Sequence, residues 1–319
     1  MSAGVVSALV VGIVQPLLVV AGAPLLVGLM RQVRARLEGR AGAGVAQPWR
    51  DLRKLLLRKE TFTPNGTTEV FRLAPLVLVA TTLVVSVVVP FVATASPVPP
   101  VADLFAVVAL LALGTVVLAL AGLDTGTAFG GMGASREMTI IALVEPTLLV
   151  SIFALSVRVG STNLSAIVSS TVHDPARVIS PVSLLALVAL AVVIVAETGR
   201  LPVDNPSTHL ELTMIHEAMV LEYAGPDLAL VELASAMRLT VFLGLFANLF
   251  VPWGIATSAA PLALLAGIGA VVVKVGVLGT ALALGEVFLA KLRLFRVPEL
   301  LAGSFLLSLL AVAASFFLA

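Results

Sequence analysis

The chain reads as an all-α polytopic membrane protein, and three observations lead there. Of its 319 residues, 60% are hydrophobic and 12% charged, against a soluble norm of roughly 25% charged. Mean hydropathy is +1.14. Apolar runs of about 20 residues, the length that carries a helix across the hydrocarbon layer, recur from end to end. Eight stand out, roughly 4–29, 73–95, 101–123, 138–158, 180–198, 231–252, 260–289 and 299–319. The first is too long for a signal peptide and lacks a small-residue cleavage pattern, so it reads as a retained helix. The connections are short. Residues 1–319 therefore read as a single integral membrane domain.

Basic residues give these runs a direction. The segment 31–72 holds Arg31, Arg34, Arg36, Arg40, Arg50, Arg53, Lys54, Arg58, Lys59 and Arg72. Alternate loops add Arg136, Arg200, Arg238, Lys291, Arg293 and Arg296 on the same side, while the opposite loops hold Arg158 and Arg177. The positive-inside bias then places the odd-numbered loops in the cytoplasm and both termini outside a cell membrane. Net charge is +1, so the basic residues serve topology and acidic lipid headgroups, and no nucleic acid is implied.

The first inner segment contains a short amphipathic helix. Pro48 suits a first turn, whose N–H groups lack partners anyway. Trp49, Leu52, Leu55 and Leu56 then share a face, and Arg50, Arg53, Lys54 and Arg58 fall largely elsewhere, as expected of an interfacial helix. The runs 73–95 and 101–123 are nearly featureless and predict generic packing. Gly130-Gly131-Met132-Gly133 lacks the lysine of a phosphate loop and reads as a flexible inner loop.

Charges inside apolar runs are costly and mark function. Glu145 lies about 12 Å into the fourth run at 1.5 Å per residue, with Pro146 beside it to free backbone groups. Lys274 sits near the middle of the seventh run, where a Glu145–Lys274 ion pair is the structural alternative. Glu197 ends the fifth run. Glu286 is expected to reach the interface or pair with Lys291.

Residues 196–227 are the polar centre of the chain. Asn205 as N-cap and Pro206 as first helical residue predict a polar inner-loop helix to about Tyr223. On it His209 and His216 share one face, and Glu211 and Glu222 the opposite one. His216-Glu217 lacks the second histidine of a zinc HExxH motif. Cysteine is absent, which excludes thiolate-held iron–sulfur clusters. His173, His209 and His216 lie in loops, so no pair can clamp a haem across the bilayer. No redox cofactor is expected in this chain.

AETGRLPVDNP and HLELTMIHEAMVLEYAG, with QPWRDLRKLLLRKE at 47–60, GASREMTIIALVEP at 133–146 and KLRLFRVPELL at 291–301, resemble the membrane subunit 1 family of respiratory complex I. The resemblance is nearer to the branch found in membrane-bound [NiFe] hydrogenases, typified by formate hydrogenlyase subunit 4. Three departures from the quinone-reducing branch point the same way: Ala41-Gly42-Ala43-Gly44 replaces a GPN, Ser207 and His209 replace acids, and the Glu211–Glu222 stretch is longer. The family has eight helices.

The resemblance implies a subunit that joins a peripheral electron-transfer arm to an ion-translocating membrane arm. Matching positions give Glu145, Glu197, Asp204, Glu211 and Glu222, with Lys274, as candidates for a proton relay. Arg50, Asp51, Arg53, Lys54, Arg200, His209, His216, Arg293 and Arg296 are candidates for the peripheral-arm interface. Implied partners are hydrogenase-like large and small subunits, which would hold the iron–sulfur and nickel–iron centres, and antiporter-like membrane subunits. The competing readings are the quinone-binding membrane subunit of an NADH:quinone oxidoreductase, an autonomous secondary transporter and a passive anchor.

Overall fold

A computed structural model describes residues 3–58, 66–94, 102–174, 177–204, 214–258 and 260–317, and those residues fold into helices joined by short turns. In order they are α1 (Ala3–Leu37), α2 (Gln47–Leu57), α3 (Glu69–Val88), α4 (Leu104–Asp124), α5 (Ala128–Val157), α6 (Leu164–His173), α7 (Pro181–Glu197), α8 (His216–Val220), α9 (Gly225–Phe250), α10 (Pro261–Phe288) and α11 (Val297–Phe317). Seven of them, α1, α3, α4, α5, α9, α10 and α11, are long and apolar enough to cross a membrane. α7, the expected fifth span, has 17 residues, about 26 Å at 1.5 Å per residue.

Local chemistry sets the boundaries. Thr68, Asp103, Thr127, Asn163 and Ser180 cap α3 to α7 in turn, each side chain accepting a backbone N–H of the first turn. Prolines open α2, α7, α9 and α10, where a missing N–H costs nothing. α1 carries on past its apolar run to Leu37, so Arg31, Arg34 and Arg36 are helical rather than the start of a loop.

The glycine run at 130–133 is helical too, not a loop. A methyl group added at Gly133 would lie 2.8 Å from Ala218 Cβ and 2.9 Å from Ile215 O. Glycine is there so that α8 can approach α5.

One end of the bundle carries α2, the C-terminal turns of α1, α4 and α10 and the first turns of α3, α5 and α9. Asp124 accepts from Thr68 at this end, and Tyr223 donates to Phe71 O at 2.8 Å. At the far end, Gln15 donates to Ser86 O and accepts from Phe91 N and Val92 N. Asn248 donates there to Pro90 O and Phe91 O. These side chains satisfy backbone left open where α3 ends, as backbone at membrane depth must be.

The core is apolar and mostly aliphatic, with Leu148, Ile152, Leu190, Met237 and Phe242 fully enclosed. α10 and α11 are the least covered spans, leaving Val272, Val273, Val277, Leu306 and Phe316 outward.

The predicted inner-loop helix from Pro206 to Tyr223 is not continuous. Residues 205–213, with Glu211 and His209, lie outside the described residues. Met214 and Ile215 are not helical, and α8 starts only at His216. At this break Asp204 Oδ2 accepts the N–H groups of both Ile215 and His216 at 3.3 Å, groups that a continuous helix would bond internally.

Candidate functional site

α7 ends inside the bundle rather than at its surface. Its last residue, Glu197, accepts a hydrogen bond from Thr115 Oγ1 at 3.2 Å, and Thr115 lies nine residues before the end of α4, roughly 14 Å along the helix. The chain then continues toward the α2 end through residues 198–204, which are not helical. Irregular backbone at such depth is tolerated only against protein or a water-filled cavity, and a cavity is present.

That cavity measures about 550 Å³. Pro24, Val27, Met30, Leu52 and Leu239 form its apolar side. Arg31, Arg34, Arg200, Asp51, Asp204, Glu217, Glu232, Glu286 and His216 face it as well. Glu286 organises the cations: one oxygen meets Arg200 at 3.2 Å and the other Arg34 at 3.6 Å. The expected Glu286–Lys291 pair is therefore replaced. Lys291 Nζ instead meets Asp204 Oδ1 at 3.1 Å. The Arg200 side chain is 16% exposed, and Glu286 is the carboxylate that offsets its charge there.

Beyond the chamber lies a second charged group, deeper in the span region. Arg238 Nη2 pairs with Glu197 Oε1, and the guanidinium stands 5.8 Å from the Phe242 ring centre. Glu137 and Glu145, both on α5, feel the charge of Arg238. Glu137, 8% exposed, also feels His216 and Asp204, which line the chamber. A file of ionisable groups thus leads from chamber to interior: Asp204 and His216, then Glu137, then Arg238 with Glu197 and Glu145.

Several expected residues stand elsewhere. Lys274 Nζ donates to Asn248 Oδ1 at 3.0 Å, and among the described residues no Glu145–Lys274 ion pair forms; the cation near Glu145 is Arg238. Glu222 sits half-buried in the turn between α8 and α9 and does not line the chamber. On α2, Asp51 faces the chamber and accepts from Gln47 at 2.8 Å, while Arg50, Arg53 and Lys54 point outward with Arg293 and Arg296. Leu56 and Leu57 are exposed as well, so the apolar face of α2 is only partly covered. Among the described residues no group of three or more histidines and acids could hold a metal.

Arg238, Glu137 and Thr115 are the residues that sequence reasoning missed. Arg238 was counted among the inner-side basic residues, yet it lies 13 residues into α9, about 20 Å along it. A charge in the apolar run 231–252 was the available signal.

The pattern of the NADH dehydrogenase family matches residues 8–317. Formate hydrogenlyase subunit 4 of Escherichia coli K12 is 36% identical over 94% of this chain and 96% of its own length. Hydrogenase-4 component C of the same organism is 35% identical over 90% of each. NADH-ubiquinone oxidoreductase chain 1 of Petunia hybrida is 28% identical over 80% of this chain and 75% of its own. In fold, the chain is similar to a subunit of the membrane-bound sulfane sulfur reductase, an archaeal respiratory membrane complex, with a TM-score of 0.84 at 19% identity over 97% of this chain and 99% of the other.

Proposed function

Because the chain belongs to the NADH dehydrogenase (complex I subunit 1) family, we propose that it is the membrane subunit of a hydrogenase-type complex. In that role it anchors the peripheral electron-transfer arm and couples electron flow to proton or sodium movement. The observation that carries this reading is the charged file from the chamber through Glu137 to Arg238, Glu197 and Glu145. Buried ionisable groups are costly in a membrane, and a passive anchor has no use for them.

The chamber would receive ions from the α2 side, and the relay would pass protons between carboxyls. Outward-facing Arg50, Arg53, Lys54, Arg293 and Arg296 form a basic rim for an acidic soluble partner. Iron–sulfur and nickel–iron centres are assigned to partner subunits, and the exposed faces of α10 and α11 to lipid or further membrane subunits. Five carboxylates and three guanidiniums around the cavity suit water and ions better than a quinone ring, which favours the hydrogenase-type reading over a quinone-reducing one.

The test is Glu145→Gln, which keeps shape and hydrogen bonding and removes the titrating proton. In sealed vesicles the assembled complex should keep most of its electron transfer while ion uptake per electron falls. Uptake equal to wild type, in a fully assembled complex, would make the passive anchor the better reading.

A further inference from the structure

Two buried carboxyls, Glu137 and Glu197, and the half-buried Glu145 share one largely buried cation. Glu137, Glu145 and Glu197 all interact with Arg238, and the side chains of Arg238 and Glu197 are 12% and 1% exposed. An ionised carboxylate buried without a partner is far costlier than a protonated one. One guanidinium is a poor match for three carboxylates, which favours the protonated form of at least one of them.

Two atoms are left open in it. Arg238 Nε and Glu145 Oε1 are buried and have no hydrogen-bond partner among the described residues. Native interiors rarely leave such groups unpaired without a reason. The guanidinium lies beside α4 at Gly114, where an added methyl group would stand 3.5 Å from Arg238 Nη1.

We infer that Arg238 is a shared counter-ion that exchanges between Glu197 and Glu145, so that only one of these two carboxyls is ionised at a time. With the guanidinium on Glu197, as seen here, Glu145 carries a proton. When the guanidinium moves to Glu145, that proton leaves and Glu197 takes one up. Net charge in the cluster is unchanged by the exchange, which removes the electrostatic penalty of moving a bare charge through the interior.

Each neighbour has a place in this scheme. Thr115 holds the Glu197 carboxyl from α4. Glu137 on α5, with His216 and Asp204 beside it, would feed protons from the chamber. A change at the chamber, where a partner arm docks, could then bias the position of Arg238.

The inference rests on the coupling reading but can fail separately. The readout is the infrared band of protonated carboxyl groups in the assembled complex, assigned to Glu145 by its loss in Glu145→Gln. Removing the resident carboxylate with Glu197→Gln should release Arg238 to Glu145, leaving at least about tenfold less protonated Glu145 at neutral pH. Should that variant fail to assemble, Glu197→Gln combined with Arg238→Gln removes both charges, a gentler change than stranding one. In that double variant the Glu145 band should stay at its wild-type strength. An undiminished Glu145 band in Glu197→Gln, its loss in the double variant, or its absence from the wild type would each overturn the exchange. The coupling reading stands or falls on ion uptake in Glu145→Gln, independently of the band.

Discussion

The Lys291 ammonium stands 3.1 Å from one oxygen of the Asp204 carboxylate, and 87 residues of chain separate the two. The other oxygen binds the backbone N–H groups of Ile215 and His216. A single carboxylate thus fixes the segment after α10, the segment after α7 and the start of α8 around one chamber.

Removal of that carboxylate should therefore be felt at three places. Asp204→Ala leaves a mostly buried ammonium and two N–H groups without it, at a cost of about 3 kcal/mol, the low end for breaking a buried pair. Lys291→Met should cost about half as much on the same scale, since its side chain is 19% exposed. The double variant should lose less than the sum, because each single change already removes their mutual attraction. Thermal unfolding of the three variants in detergent reads this out, and strict additivity would mean that the pair contributes nothing.

Most of the architecture was legible from hydropathy, because in a bilayer a long apolar run has few alternatives to a helix. Glu145 and Glu197 were legible for the same reason, since acids stand out against such runs. The partners were not. Glu286 finds Arg200 86 residues away rather than nearby Lys291, because packing of α1, α7 and α10 decides which charges meet. The inner-loop helix was overestimated because cap and face patterns are local, whereas the Asp204 bonds to Ile215 and His216 join residues 11 and 12 positions apart. Thr115 looked generic until α7 ended beside it.

Tyr223 gives an alkaline signature. Its ring stacks on Phe71 at 4.2 Å and its hydroxyl donates to Phe71 O. Burial, with Asp227 and Asp124 nearby, raises its pKa above the ordinary value. A raised pKa means that the neutral phenol is the form favoured on folding. Its contribution is complete below the unfolded value of about 10 and fades as pH climbs from there through the folded value. Tyr223→Phe should lower stability by about 1 kcal/mol at neutral pH and flatten the decline above about pH 10. Tyr223 is the only tyrosine of the chain, so tyrosinate absorbance of the purified chain reports its ionisation directly. Full ionisation near pH 10 without unfolding would refute the burial argument.

The parity of the bundle turns on α7. At 17 residues, about 26 Å long, it lies at the lower limit for a span. Its first turn nevertheless meets the end of α5, where Arg158 donates to Ser180 Oγ at 2.6 Å. Its last turn meets Thr115 and Arg238, and the following Arg200 reaches Glu286 near the end of α10. α7 thus runs from the far end of the bundle toward the α2 end, and the turn Thr198–Asp204 completes the distance. Counted with the seven longer helices, α7 would make eight crossings, and we expect both termini on one side. By the positive-inside bias, the basic residues of 31–58 would then put that side opposite the cytoplasm. Labels at each terminus should be reached only from the extracytoplasmic face of intact cells, and a label at Gly42 only after the membrane is opened. Termini labelled from opposite faces would reduce α7 to a helix that enters the membrane without crossing it, leaving seven spans.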